Sequence, residues 1–284
     1  MPSVKDTPIT RVLGGAREEL AKHVFVGGNF FMQRMLNQFR NELSVDALPQ
    51  ELDSAAMRTL EHLRRETAKV SIGEVTAANG RLQFPVSVEN LSGHKLPTAY
   101  PSRRVWLHVT VRDRADAVVF ESGAPRPDGS IDGNDNDESA TRFEPHYTEV
   151  SRRDQVQIYE TVLRAPDGAL TTGLLTASGF AKDNRLLPQG FDKRTASPDI
   201  AVHGAAEADA DFVGGGDQVQ YVVPVNQAQG PFRVSAELWY QPIAYRWSMN
   251  LKGYNAPEPQ RFVGYYEQAA PGAAVLLTQA SASH

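Results

Sequence analysis

The chain has 284 residues, of which 41% are hydrophobic and 22% charged, the composition of an ordinary globular protein with enough chain for one large domain or two small ones. The formal net charge is −5 and the pI is near 5.8, which argues against nucleic acid as a partner, and no apolar run is long enough to span a bilayer. Cysteine is absent, which excludes disulfides, thiolate metal sites, iron–sulfur clusters, cysteine nucleophiles and a C-x-x-C-H haem-attachment site.

The opening Met1-Pro2-Ser3-Val4-Lys5-Asp6 has no apolar h-region and no cleavage site. The chain is therefore expected to be cytoplasmic, or to have its leader outside this sequence. A charged segment over 11–23 is expected to be helical. After the Gly27-Gly28-Asn29 turn, Phe30, Phe31, Met35, Leu36 and Phe39 recur at helical spacing, with Asn29 as the N-cap. Residues 44–49 break that helix. Leu52, Met57, Leu60 and Leu63 mark a third helix, starting near Asp53 or Ser54, whose Arg64 and Arg65 suit a helix C-terminus.

From Val70 the period becomes two. Val70, Ile72 and Val75 alternate with polar residues, and Asn79-Gly80 is a hairpin turn signal. Leu82, Phe84, Val86 and Val88 return on one face. Val105, Leu107, Val109 and Val111 form another strand, with Val118-Val119-Phe120 as its hairpin partner. Further strands are expected over 156–163, 170–177, 219–225 and 232–239. Two long loops, about 122–154 and 181–216, interrupt them; loops of this length are usually functional or packed on something else. Helical pieces are expected over 245–254 and 261–268, and the Ala/Ser-rich end 279–284 is expected to fray. The pattern predicts an α+β, mainly β protein: an N-terminal helical segment over 1–69, then an antiparallel β-sandwich over 70–284 with long loops and short C-terminal helices.

The segment Asp128-Gly129-Ser130-Ile131-Asp132-Gly133-Asn134-Asp135-Asn136-Asp137-Glu138 spaces hard oxygen donors as calcium requires. Asp128, Ser130, Asp132 and Gly133 match the start of an EF-hand loop, but the bidentate glutamate should fall on Ser139, and Glu138 comes one residue early. Two readings stand for it: a solvated acidic loop, or a calcium loop of another type with Asp128, Asp132, Asp135 and Asp137 as ligands. Enzyme motifs such as G-x-S-x-G, H-E-x-x-H or a Walker loop are missing, and Gly214-Gly215-Gly216 reads as a turn. Trp239, Tyr240, Tyr245 and Trp247 form an aromatic group that would stack a sugar, shield a haem edge or, as is commoner, build a core. Of the other histidines, His62 is expected to be solvated on its helix and His108 to face solvent from its strand; His146 and His203 sit in the long loops.

Several segments carry a resemblance. The start Met1-Pro2, then His23-Val24-Phe25-Val26-Gly27-Gly28-Asn29, then Ser92-Gly93-His94-Lys95-Leu96-Pro97-Thr98 with Pro101-Ser102-Arg103-Arg104-Val105-Trp106-Leu107, then Asp183-Asn184-Arg185-Leu186-Leu187-Pro188, and Glu237-Leu238-Trp239-Tyr240-Gln241-Pro242-Ile243 resemble the region after the last C-x-x-C-H motif in bacterial multihaem c-type cytochromes. The resemblance spans residues 1 to about 265 and departs from the family in lacking haem-binding cysteines. It implies a periplasmic, haem-free C-terminal portion that supports electron transfer for haem c held by another segment or subunit, and that docks a redox partner protein. It also implies that His23 and His94 are distal axial ligands; glycine beside each would let backbone approach a flat macrocycle. Taken alone, each histidine reads more readily as a surface or hydrogen-bonded residue than as a ligand. Two further readings stand beside this one: a calcium-stabilised β-sandwich binding protein or carbohydrate, and a wall of a haem oxidoreductase whose active haem lies upstream.

Overall fold

The protein is described by a computed structural model that covers all residues except 1, 2, 9, 11, 13, 22–25 and 227. Before the first helix the described residues form short strands. β1 (Ser3–Val4), β2 (Thr7–Pro8), β3 (Ala16–Arg17) and β4 (Leu20–Ala21) pair as β1 with β4 and β2 with β3. The helix expected over 11–23 is thus not formed by its described residues. Gly14-Gly15 disfavours one, and no apolar stripe runs through the segment to dock it.

Helix α1 (Phe30–Gln38) begins as its sequence predicts: the Asn29 side chain accepts the Met32 N–H at 2.9 Å, satisfying one of the free donors of the first turn. It buries Phe30, Phe31 and Met35. Helix α2 (Pro49–Glu66) begins about one turn earlier than the Asp53–Ser54 start expected. Pro49 gives up no needed N–H at the first helical position, and the Glu51 carboxylate accepts the Leu48 N–H at 2.9 Å. Its last turn carries Arg64 and Arg65, and Ala56, Leu60 and Leu63 face inward.

Two sheets follow. β5 (Ala68–Ile72), β6 (Thr76–Ala78) and β7 (Arg81–Asn90) come first, then β8 (Arg104–Arg112) and β9 (Val118–Ser122). After the four-residue helix α3 (Asp135–Glu138) come β10 (Glu149–Val150), β11 (Ile158–Arg164), β12 (Leu170–Thr171), β13 (Gly179–Asp183), β14 (Gly216–Pro224) and β15 (Arg233–Gln241). Helices α4 (Tyr245–Met249) and α5 (Pro257–Ala269) precede the last strand, β16 (Val275–Ser283). One sheet has the order β10-β14-β7-β5, with β6 also on β7; the other has the order β12-β11-β8-β15-β16, with β9 on β8 and β13 on β11. Every pairing among these is antiparallel except β10 with β14. The protein is therefore α+β, mainly β, with a sandwich of two sheets. The β6–β7 hairpin turns on Asn79 and Gly80, both at positive φ (52° and 71°), the geometry a two-residue primed turn needs.

Alternation along the strands builds the core. Leu82, Phe84, Val86 and Val88 of β7, and Leu107, Val109 and Val111 of β8, are buried in one cluster with Val219, Tyr221 and Val223 of β14. Phe84 stacks on Tyr221 with ring centroids 5.4 Å apart, and Phe120 of the other sheet meets Tyr221 edge-on. Helices α1 and α2 share this core, where Phe31 packs edge-on against Tyr266 of α5. A second, smaller cluster of Trp106, Ile131, Val156 and Ile158 lies on the outer face of β8, where the 122–154 loop covers it.

Two other local expectations are corrected. A strand over 170–177 is cut to Leu170–Thr171, because the Gly173 N–H turns onto the Thr171 hydroxyl and the Gly173 carbonyl takes the Thr176 and Ala177 N–H groups. The C-terminal end does not fray. β16 pairs with β15 from Tyr240–Val275 to Arg233–Ser283, because period-two alternation continues past Leu277 through half-buried Ala280 and Ala282. The four aromatic residues read together also separate, since Trp239 and Tyr240 alternate across β15. Trp239 stacks on Trp106, Tyr240 meets Phe30, and Trp247 meets Tyr100.

Candidate functional site

His94 lies on the loop joining β7 to β8, and its side chain is exposed. The loop is pinned from beneath. The Asn90 side-chain amide donates to the carbonyl oxygens of His94 (2.9 Å) and Leu186 (3.0 Å), and Leu96 and Leu186 exchange backbone hydrogen bonds. The His94 Nδ1 stands 3.0 Å from the Lys95 carbonyl oxygen. A carbonyl only accepts, so in the neutral ring Nδ1 carries the proton and Nε2 the lone pair. A carbonyl that fixes tautomer and ring orientation is a usual partner of a metal-ligating histidine. Beside Ser92 and Gly93 a groove of about 750 Å³ runs between the outer faces of β5 and β7 and the turn at Gly214-Gly215-Gly216, within the size range of cofactor sites. An imidazole is a donor of the kind that ligates haem iron, although His94 is not among the residues that line this groove; covalent haem attachment would need cysteine, which the sequence lacks. His23 lies outside the described residues.

The four aspartates expected to hold calcium are not gathered on one point. Asp128 accepts from the Ser130 N–H and hydroxyl, Asp132 pairs with Arg126, and Asp135 pairs with Arg142. Asp137 is buried against Arg104 at 2.8 Å and also accepts the Ile131 N–H. A positive charge does organise this segment, but it belongs to a side chain. The Arg104 guanidinium, 1% exposed, also donates to the Gly129 carbonyl (3.0 Å) and the Gln241 side chain (2.7 Å). Gly129 sits at φ +87°, and a Cβ there would stand 2.6 Å from the Tyr266 hydroxyl, so the loop is held tightly over this cation. Nothing in the spacing of the aspartates announces Arg104; the only signal was a charge at the head of an apolar strand.

Among the described residues a further group of ligand-type atoms comes together that no spacing in the sequence displays. His146, Asp209 and Asp217, drawn from both long loops and β14, bring one ligand atom each within 4.8 Å of one another, all buried. Its hydrogen bonds turn it away from metal. His146 Nδ1 is met by the side-chain NH₂ groups of Gln157 and Asn184, each at 3.0 Å. Neither amide is free to flip, because the Tyr147 N–H holds the Gln157 oxygen and the Glu160 N–H holds the Asn184 oxygen. Nδ1 therefore accepts, and Nε2 carries the proton toward Asp209 at 2.9 Å, where a metal would need a lone pair. Burial pushes the His146 pKa down to about 4, against the pull of Asp209, so the ring is neutral at pH 7. Burial likewise pushes the Asp217 carboxyl up to about 7. Tyr159 and Gln157 donate to its Oδ2, while its Oδ1 has no hydrogen-bond partner. The cluster welds the two loops to the sheets.

Three other histidines lie against side chains of the fold. His108 does not simply face solvent: it is half-buried between Glu237 (2.9 Å) and Glu121 (3.0 Å), because its neighbours in the sheet supply carboxylates on both sides. His62 pairs with Glu66 on α2, and His203 stacks on Phe180.

Neither a family model nor a curated protein matches the chain. Among solved structures, the chain is similar to a penta-haem cytochrome c552 from Thermochromatium tepidum, at 16% identity and a TM-score of 0.45. The match covers 79% of this chain and 41% of that one, so this chain spans less than half of that cytochrome's length. A likeness this distant assigns no role to any residue. Among the described residues no helix is long and apolar enough to cross a membrane.

Proposed function

We propose that this chain is an accessory module of a multihaem cytochrome and presents His94 as a distal axial ligand to a haem c held by another segment or subunit. The observation that carries the reading is the setting of His94: an exposed imidazole whose Nδ1 stands 3.0 Å from the Lys95 carbonyl, so that Nε2 is the nitrogen left to ligate. An imidazole on iron favours the low-spin state suited to electron transfer. The reactions of such an assembly would belong to the haem-bearing partner, with a redox partner protein docking on the complex. The compartment would be the periplasm, where haem c is assembled.

The test uses a haem c peptide that carries its own proximal histidine and an open second axial position. Titrating it with the protein should shift the Soret band to the low-spin form with saturation, and His94→Ala should abolish the shift. A low-spin titration unchanged in His94→Ala, or no titration with the wild-type protein, would overturn the assignment.

A further inference from the structure

We infer that the cleft between α1, the β7–β8 loop and helices α4 and α5 binds a small aromatic carboxylate, with Arg103 as its counter-charge; the inference does not depend on the role proposed for His94. The cleft has a volume of about 450 Å³, within the range of small-molecule sites. Its apolar walls include Met32, Tyr100, Ile243, Trp247, Leu251 and Phe262. Among the described residues that line it there is no carboxylate, and Arg103 is the one charged side chain.

Arg103 is half-buried and held in place without being neutralised. Its Nη1 donates to the Thr98 carbonyl (3.1 Å). Gly28 lies so close that a Cβ there would stand 2.7 Å from the same nitrogen, and Gly28 is itself fixed by its carbonyl, which accepts the Tyr240 hydroxyl at 2.7 Å. Nε and Nη2 have no hydrogen-bond partner, and the guanidinium has no carboxylate partner, among the described residues. The next residue shows the contrast: Arg104 is balanced by Asp137. A carboxylate accepts two parallel N–H bonds from a free guanidinium edge, and apolar walls strengthen such bonds by lowering the local dielectric.

The rest of the cleft selects a ring. Tyr100 and Trp247 meet at 60° with centroids 5.9 Å apart, and the corner they form is open, since Tyr100 is 52% exposed. A flat ring placed there stacks on one aromatic face and turns its edge to the other, the two arrangements that aromatic pairs prefer. An aliphatic acid would fill the volume but forgo the stacking, and a cation would meet Arg103 with no carboxylate to offset it.

The experiment titrates naphthoate and its uncharged isostere naphthamide into the protein by isothermal calorimetry. The proteins are wild type, Arg103→Gln and Tyr100→Leu. Naphthoate should saturate the wild type, and naphthamide should bind about tenfold or more weakly than the acid. Arg103→Gln should weaken naphthoate by a similar factor and leave naphthamide unchanged, whereas Tyr100→Leu should weaken both probes alike. No saturable binding of naphthoate to the wild type, or equal affinity for acid and amide, would overturn the inference without requiring any variant to fold. So would a naphthoate titration unchanged in either variant, or an Arg103→Gln loss of the same size for both probes.

Discussion

Replacing Arg104 with methionine should be among the most damaging single changes in this protein. The side chain is 1% exposed and its partner Asp137 is 7% exposed. Removing the guanidinium strands the Asp137 carboxylate, leaves the Gln241 oxygen without its donor, and leaves the Gly129 carbonyl with the Gln241 amide alone. Breaking one side of a buried ion pair costs about 3–5 kcal/mol, because the surviving charge stays desolvated. For a chain of this size that corresponds to a fall in melting temperature of roughly 6–10 °C. Urea unfolding by linear extrapolation gives the free energy, and a thermal melt gives the midpoint. The double variant Arg104→Met/Asp137→Asn removes both charges but keeps an acceptor for the Ile131 N–H, and should recover at least half of the loss. A companion melt of the wild-type protein in EDTA and in millimolar calcium should show equal midpoints, since Arg104 already supplies the cation under this loop. The reasoning fails if the single variant loses less than about 1 kcal/mol, if the double variant is no better, or if calcium raises the midpoint and Asp132→Ala abolishes that rise.

Three further outcomes are expected. The folded state holds the Asp217 proton to about pH 7 against an ordinary value of 3.8, so this group's contribution is full below the lower value and is lost as pH rises through the upper one. Asp217→Asn should therefore gain about 1–3 kcal/mol at pH 8 and nothing near pH 4 in urea titrations, and equal stability of the two proteins at pH 8 would refute it. At His108, burial alone would lower the pKa, but Glu237 and Glu121 outweigh it and leave it above 6.5. That contribution is present below pH 6.5 and is lost as pH rises through the folded value, so His108→Gln should flatten this part of the stability curve; a curve of unchanged slope would contradict the pairing. Lastly, a haem stain after denaturing electrophoresis should be negative, because a thioether bond needs cysteine and the sequence has none.

The parts of the fold that were legible in the sequence are those set by local chemistry. The Asn29 cap and the Phe30, Phe31, Met35 stripe specify α1, and Asn79-Gly80 with Leu82, Phe84 and Val86 specifies the β6–β7 hairpin. The α2 start was misplaced because the proline and glutamate that begin it precede its apolar stripe. β16 was overlooked because alanine and serine have weak strand preference, and only pairing with β15 shows their alternation. The His94 loop was singled out by its motif, but the carbonyl that fixes its tautomer is a matter of backbone geometry. Arg104 and Asp137 lie 33 residues apart, and His146 and Asp209 lie 63 apart. Neither pair has a spacing that a sequence can display, so tertiary packing alone brings them together.

The most direct test of the central claim is a ligand exchange at residue 94. With the ferric haem c peptide saturated by protein, the wild type should give the electron paramagnetic resonance and visible spectra of a bis-histidine low-spin haem. His94→Met should convert both to those of a histidine–methionine haem, because sulfur then replaces nitrogen on the iron. Identical spectra from the two proteins would show that residue 94 does not touch the iron and would contradict the account.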